Sequence, residues 1–249
     1  MHSKVTLRAL RLTQLLFNKE MTTKLHPPDP ILNPTNIPSV TSSTAIGSLP
    51  GILRDAVSIR RQVFVDEQGC SAEAEIDADD ARSWHWVLYD GSAPCPVSVS
   101  RSECMDESKS KSSATDRSPA VGTLRLVPPC PPAPYVKITR VAVLPTHRGR
   151  GIGRHLVETA VEWAGVHGAA VWGTGPSIDA GDVTGARDRG KGGTNRWPGW
   201  MLVHAQVDVE GMYARLGFRR DEGMGRWMEE GIEHVGMWRH IQSTSQSTP

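Results

Sequence analysis

The spacing of apolar and polar residues changes along this 249-residue chain, and the changes mark its elements. In YVKITRVAV, residues 135–143, β-branched residues alternate with polar ones, which predicts a strand. LPT breaks the alternation, HRGRGIG follows, and RHLVETAVEWAG brings apolar residues back at spacings of three and four. Ile152, Leu156, Ala160, Trp163 and Ala164 then share one face, with Arg154, His155, Glu158 and Glu162 turned away from it. Tyr135 to Gly168 therefore reads as strand, glycine turn and helix.

The same reading extends to both sides. Leu49, Ile52, Leu53, Ala56, Val57, Val63 and Phe64 recur at helical spacing and predict a first amphipathic helix running through IRRQVFV. Trp84–Tyr89 and VGTLRLV (121–127) predict strands, the second with Leu124 and Leu126 on one face and Thr123 and Arg125 on the other. PPCPPAP ends it, because proline cannot donate to a sheet ladder. MLVHAQ (201–206) predicts a strand, VEGMYARLGF a short helix closed at Gly217, and RWMEEGIEHVGMWRHI a β-hairpin. Two stretches poor in apolar residues, 91–119 and 173–199, predict flexible insertions in a domain spanning 49–240, with a polar tail over 241–249. Residues 1–48 are expected to be a disordered N-terminal extension, since 25–48 is dominated by Pro, Ser, Thr and Asn.

Charge and cysteine usage narrow the function classes. Lys and Arg (28) nearly balance Asp and Glu (27), and no long basic block stands out, so neither nucleic acid nor a membrane surface is an expected partner. A hydrophobic content of 38% is enough for one core, and no apolar run reaches the ~20 residues needed to span a bilayer, which predicts a soluble protein. Cys70, Cys95, Cys104 and Cys130 form no Cys-x-x-Cys pair, so no metal site is expected and a reduced, cytoplasmic setting fits. Residues 1–20 carry Lys4, Arg8, Arg11 and Lys19 before the first acid, Glu20, and resemble a mitochondrial presequence. A frayed extension and a start at Met21 are the alternatives. Asp66, Glu67, Glu73, Glu75, Asp77, Asp79 and Asp80 form an acidic run that reads either as a solvated loop or as a negative lip for a cationic amine.

The chemistry concentrates at the glycine turn. Gly149, Gly151 and Gly153 let the backbone bend so that an anion can reach the unpaired N–H groups of the helix's first turn. Arg148, Arg150 and Arg154 oppose the helix dipole there, which makes sense if a bound anion offsets them. Gly-Lys-Ser/Thr and Gly-x-Gly-x-x-Gly are both absent, so neither a P-loop nor a dinucleotide turn is present.

Arg148-x-x-Gly151-x-Gly153 after a strand ending Val-Ala-Val-Leu-Pro resembles the acyl-CoA pyrophosphate motif of the GNAT superfamily of N-acetyltransferases. IRRQVFVDEQ is similar to the first helix of such a domain, VGTLRLV to its third strand, HAQVDVEGMYARLGF to its tyrosine-bearing strand and helix, and WMEEGIEHVGM to the last hairpin of the ElaA-like branch, a group related to glucosamine-phosphate N-acetyltransferases. The resemblance implies an α/β (α+β) GNAT fold: a mixed, twisted sheet splayed between its fourth and fifth strands, here 135–143 and 201–206, with flanking helices. It implies acetyl-CoA as co-substrate, no metal, and transfer of an acetyl group to a primary amine in a ternary complex. Pantetheine would pair with Val141, Ala142 and Val143, and the pyrophosphate would sit on Arg148, Gly149, Arg150, Gly151, Ile152, Gly153 and Arg154.

Tyr213 is the implied general acid, and an amide at or near Val143 the implied oxyanion donor. Glu67, His85, His204 and His234 are candidates for base or substrate contact, because Glu and His can be tuned to titrate near neutrality, and a water chain is the alternative base. The expected partner is a small-molecule amine, with glucosamine 6-phosphate first and Arg125 and Arg140 as conceivable contributors to a basic pocket. The alternatives are a protein or peptide acceptor and a non-catalytic acyl-CoA-binding module. A homodimer through sheet edges is compatible with the resemblance.

Overall fold

The structure is a computed structural model in which residues 21–29, 47, 49–92, 118–130, 133–172 and 197–242 are described. Among the described residues eight strands form one mixed sheet: β1 Met21–His26, β2 Trp84–Asp90, β3 Ala120–Val127, β4 Val136–Val143, β5 Trp200–Gln206, β6 Arg219–Arg220, β7 Arg226–Glu229 and β8 Ile232–His240. Their order is β1-β2-β3-β4-β5-β8-β6, with β7 also on β8. All neighbours are antiparallel except β4 and β5, which run parallel.

Each face of the sheet is covered. Helix α1, Gly51–Arg60, continues as a π-helical segment over Arg61–Glu67, and Ala56, Ile59 and Val63 close over Val87, Tyr89 and Ala142. On the other face, α2, Ile152–Val166, buries Ile152, Leu156, Val157, Ala160, Val161 and Ala164 against Trp86, Leu124 and Ile138. Burial of each large apolar side chain contributes about 1.5–3 kcal/mol, so this face holds the helix in place. Gly122 on β3 lets it approach: a Cβ there would lie 2.7 Å from Ile152 Cγ2. Helix α2 can therefore begin directly over the sheet, which sets the position of the glycine turn that precedes it. Among the described residues there are also two short helices, α3, Gly168–Trp172, and α4, Glu210–Arg215. In the final hairpin Glu230 (φ 50°) and Gly231 (φ 78°) make the turn, with positive φ at both central residues as a two-residue type I′ connection requires.

Two expectations need correction. Met21–His26, assigned by composition to the disordered extension, is a strand paired over its whole length with β2, from Met21↔Asp90 to His26↔His85. Its sequence is mostly polar because it is an edge strand; long-range pairing with a fully buried neighbour orders it where local pattern does not. Trp197, placed in the second insertion, is a core residue, 2% exposed. The remainder of both expected insertions, 93–117 and 173–196, lies outside the described residues, as do residues 1–20, 30–46 and 243–249. No helix among the described residues is long and apolar enough to cross a membrane.

Candidate active site

The site forms where β4 and β5 part. They pair only at Val136↔Met201, Lys137↔Leu202 and Ile138↔Val203. Beyond that point β4 continues alongside β3 alone, ending at Val143↔Gly122. Leu144 N–H donates to Val121 C=O (2.9 Å), so ladder alternation turns the N–H and C=O of Val143 towards the gap. A cleft of about 1100 Å³ opens along the gap, lined by Val141–Val143, the glycine turn, β5, α4 and the acidic segment.

Directly after β4 the chain makes the turn that the glycines predict. Gly149 (φ 76°) and Gly151 (φ 80°) are left-handed, and a Cβ at either would meet nothing within 4 Å, so these glycines are required by backbone conformation and leave open space before the turn. The first helical hydrogen bond of α2 is donated by His155 N–H to Gly151 C=O (2.9 Å). The N–H groups before it face that space with no side-chain cap and no acid in the first turn. Open donors at an uncapped helix start fit a diphosphate, and the open edge at Val143 fits an amide-bearing arm.

Side chains brace this turn. Asp90, at the end of β2 and 1% exposed, lies 3.5 Å from His147 and 3.7 Å from Arg150. Burial alone would raise its pKa, but Ser92 hydrogen bonds and these two cations hold it below the usual carboxylate range. Arg150 is thus turned towards Asp90 and does not line the cleft. Arg148 does: its Nε donates to Val143 C=O (3.0 Å) and its terminal nitrogens grip Glu67 at 2.6 and 2.7 Å. The neighbouring Gln68 accepts from Gln206 Nε2 at the end of β5 (3.1 Å). Consecutive residues at the end of the π-helical segment therefore tie to both arms of the splay.

Asp66 and Glu73 of the acidic run are exposed, but Glu75, Asp77 and Asp80 form neither a solvated face nor a free negative lip. Arg60, 0% exposed, binds Glu75 through Nε and donates from Nη1 to Asp80 (2.6 Å); both carboxylates are 3% exposed. Arg125, also buried, holds Asp77 at 2.7 and 2.9 Å and Asp80 at 3.0 Å. Burial alone would raise the Asp80 pKa, but Arg60 and Arg125 hold it far below the ordinary carboxylate range. These ion pairs fasten residues 75–80 as one wall of the cleft. Ser71 N–H, donating to Glu230 on the last hairpin (3.0 Å), joins that wall to the opposite one.

Of the residues singled out from the sequence, Tyr213, Glu67, His204, His234, Val141, Ala142, Val143, Arg148, Gly149, Gly151, Ile152, Gly153 and Arg154 all border this cleft. His85 does not. It is 1% exposed, its Nε2 bonds to Asp80 C=O (2.9 Å), and burial, with Arg60 and Arg125 nearby, lowers its pKa to about 4, so it belongs to the buried ion network. Glu67 borders the cleft as an ion-pair partner: the Arg148 hydrogen bond lowers its pKa, which removes its capacity as a base near neutrality. Arg125 is likewise consumed by Asp77 and Asp80.

Tyr213 on α4 is 4% exposed and its ring packs edge-on against Phe218 (5.7 Å). Burial pushes its phenol well above the ordinary range, so it keeps its proton at neutral pH. His204 on β5 has Glu229 Oε2 3.6 Å from its Nδ1 and the Trp227 ring 4.9 Å away. Burial lowers its pKa and Lys137 adds to this, while Glu229 works against both. His234 uses its Nδ1 on Ile232 C=O (2.9 Å). Glu229, Gln68, Gln206, Asp90 and Lys137 were not singled out from the sequence, because their roles arise from partners distant along the chain.

A mixed sheet parted between two parallel strands, with a glycine turn on one arm and a buried tyrosine by the gap, is the acyl-CoA N-acyltransferase fold. An acyl-CoA N-acyltransferase from Pseudomonas aeruginosa superposes with a TM-score of 0.51 at 20% identity, covering 88% of this chain and 99% of that one. Escherichia coli ElaA does so with a TM-score of 0.50 at 18% identity and the same coverage. A model of the acetyltransferase (GNAT) family matches residues 112–180. The uncharacterized N-acetyltransferase YjcF of Bacillus subtilis is 32% identical over 118 residues, which are 47% of this chain and 63% of that protein, so the match spans under two thirds of the relative. The chain is therefore similar to acetyltransferases of the GNAT family over this region and has the fold of the acyl-CoA N-acyltransferases.

Proposed function

We propose that the protein transfers an acetyl group from acetyl-CoA to the primary amine of a small molecule. One observation carries the reading: the open edge at Val143, the glycine turn, Tyr213 and the His204–Glu229 pair all border one cleft. Acetyl-CoA, when bound, supplies an activated acetyl thioester. The amides from Arg148 to Arg154 would hold its diphosphate, and Val141–Val143 would pair with its arm. The N–H of Val143, directed into the gap, would donate to the oxygen on which negative charge develops.

His204 is the favoured base. Its depressed pKa leaves it neutral at physiological pH, and the nearby Glu229 carboxylate favours the imidazolium that forms when it takes the amine's proton. Tyr213, retaining its proton, would donate to the departing sulfur. Because its pKa is high, complete transfer is favourable only if proton loss from the acceptor nitrogen is coupled to it. The Ser71–Glu230 bridge across the walls favours a compact acceptor over a peptide, and glucosamine 6-phosphate is the first compound to try.

Thermal unfolding of the full chain with and without acetyl-CoA, followed by thiol release with a panel of amines, tests this. The expected result is a rise in melting temperature, lost in Gly151→Val, and thiol release that depends on an amine. No rise at concentrations well above micromolar would remove the co-substrate from the proposal. A rise without release from any amine would favour a binding module, and release with peptides alone would move the acceptor to proteins.

A further inference from the structure

The acceptor side of the cleft has opposite charges on its two walls. Glu229 and Glu230 of the hairpin turn lie on one side, and Lys137 and Arg140 of β4 on the other. Most ions nearby are balanced: Arg60, Arg125 and Arg140 face Glu75, Asp77 and Asp80. Lys137 is not balanced. Among the described residues no carboxylate lies within ion-pair distance of it, and its ammonium sits 6.0 Å from the Tyr135 ring centroid. Its register partner is Leu202, two residues before His204, so ladder alternation puts Lys137 and His204 on one face of the sheet.

Arg140 is built into this wall at a conformational cost. Arg125↔Thr139 and Thr123↔Ala142 flank a bulge in which Arg140 has φ 52°, a left-handed value that a non-glycine residue adopts only when its surroundings enforce it. Its Nη2 donates to Ala74 C=O (2.7 Å) and lies 3.4 Å from Asp77, while its buried Nε lies 3.7 Å from Glu75. Arg140 is thus matched by Ala74, Asp77 and Glu75 and shapes the wall, which leaves Lys137 as the cation of β4 without a carboxylate partner.

We infer that Lys137 forms an anion subsite, and that the acceptor is a zwitterion: a primary amine that also carries a carboxylate or a phosphate. Its ammonium is drawn towards Glu229 and Glu230, and its anionic group is held at Lys137, which points the amine at His204. This rests on the N-acetyltransferase reading for its chemistry, but the anion subsite can be measured without transfer.

The test uses the full chain and matched acceptor pairs: glucosamine 6-phosphate against glucosamine, α-amino acids against their amides, and spermidine as an amine without an anion. Thiol release at saturating acetyl-CoA should favour the anionic member of a pair about tenfold or more in kcat/KM, mainly through KM, the scale of one charge-assisted hydrogen bond. Lys137→Gln should shrink that preference towards parity and Lys137→Arg should keep most of it. A preference within the sugar pair alone identifies phosphate, and within the amino-acid pairs alone identifies carboxylate. Thermal shifts with the same acceptors in the absence of acetyl-CoA provide the second measurement: a shift with the anionic member only, lost in Lys137→Gln, supports the subsite even if no amine is acetylated, in which case the transfer reading alone falls. Equal use of spermidine, amides and anionic amines, or an unchanged preference in Lys137→Gln, overturns the subsite. So does the absence of both acceptor shifts and thiol release with every anionic acceptor.

Discussion

Replacing Arg60 by methionine removes the cation around which the acidic segment is fastened. The side chain is 0% exposed and binds the Glu75 carboxylate, the Glu75 carbonyl and Asp80. Methionine fills a similar volume but leaves both carboxylates in place. Breaking a buried ion pair by deleting one partner costs about 3–5 kcal/mol. The lower end applies here, because Asp80 keeps Arg125 at 3.0 Å and Arg140 Nε stays 3.7 Å from Glu75. Against a total stability of about 5–15 kcal/mol, the loss is large but survivable, and for a domain of this size it lowers the melting temperature by about 6–12 °C. Urea unfolding followed by tryptophan fluorescence measures it.

The pH dependence separates this account from a packing defect. The depressed pKa of Asp80 contributes stability that is present above its unfolded value of about 3.9 and is lost as the pH falls through the folded value. A carboxylate left buried without its cation does the opposite, binding a proton at a higher pH than the unfolded chain does, so the variant's deficit is largest near neutrality and shrinks towards pH 5. A deficit under about 1 kcal/mol, or one independent of pH between 5 and 8, would refute the view that these charges hold the wall.

Tyr213→Phe keeps the packing on Phe218 and should leave acetyl-CoA binding unchanged while lowering kcat about a hundredfold or more; unchanged turnover would end its role as donor. With His204 as base, kcat/KM falls as the pH drops through a pKa below the ordinary imidazole value of about 6.5, and His204→Gln should remove that limb from a pH–rate profile. Asp90→Ala frees His147 and Arg150 and should weaken acetyl-CoA binding roughly fivefold by calorimetry, the scale of ~1 kcal/mol, without altering kcat.

How far the chain could be read from its sequence depended on how local the causes were. The strand, glycine turn and helix from Val136 to Val166 follow from period and backbone requirement alone, and so does the hairpin around Glu230 and Gly231. The acidic run could not be read in that way: Arg60 lies 15 and 20 residues from Glu75 and Asp80, and Arg125 lies 48 from Asp77, separations at which no periodicity carries information. His85 and Glu67 looked like bases for the same reason, since a residue type shows its capacity to titrate and not the neighbour that uses it up. Within the candidate site, the turn was legible because it depends on its own segment, whereas Tyr213 was singled out only through the family resemblance. Gln68, Gln206, Glu229 and Lys137 acquire meaning only when α1, β4, β5 and the hairpin meet.

The edge strand Met21–His26 bears on how the protein stays dispersed. Its partner β2 is buried at every position, with Trp84, Trp86 and Leu88 in the main core. Without β1, one whole side of that apolar strand would present unpaired amides and carbonyls to solution, a template on which another sheet could grow. β1 puts an exposed Thr22 and a half-buried Lys24 in its place, with the Lys24 ammonium 5.1 Å from the Tyr89 ring. A shortened protein beginning at Leu49 would therefore keep every residue of the cleft and still tend to self-associate, edge to edge, at a surface with no part in its chemistry.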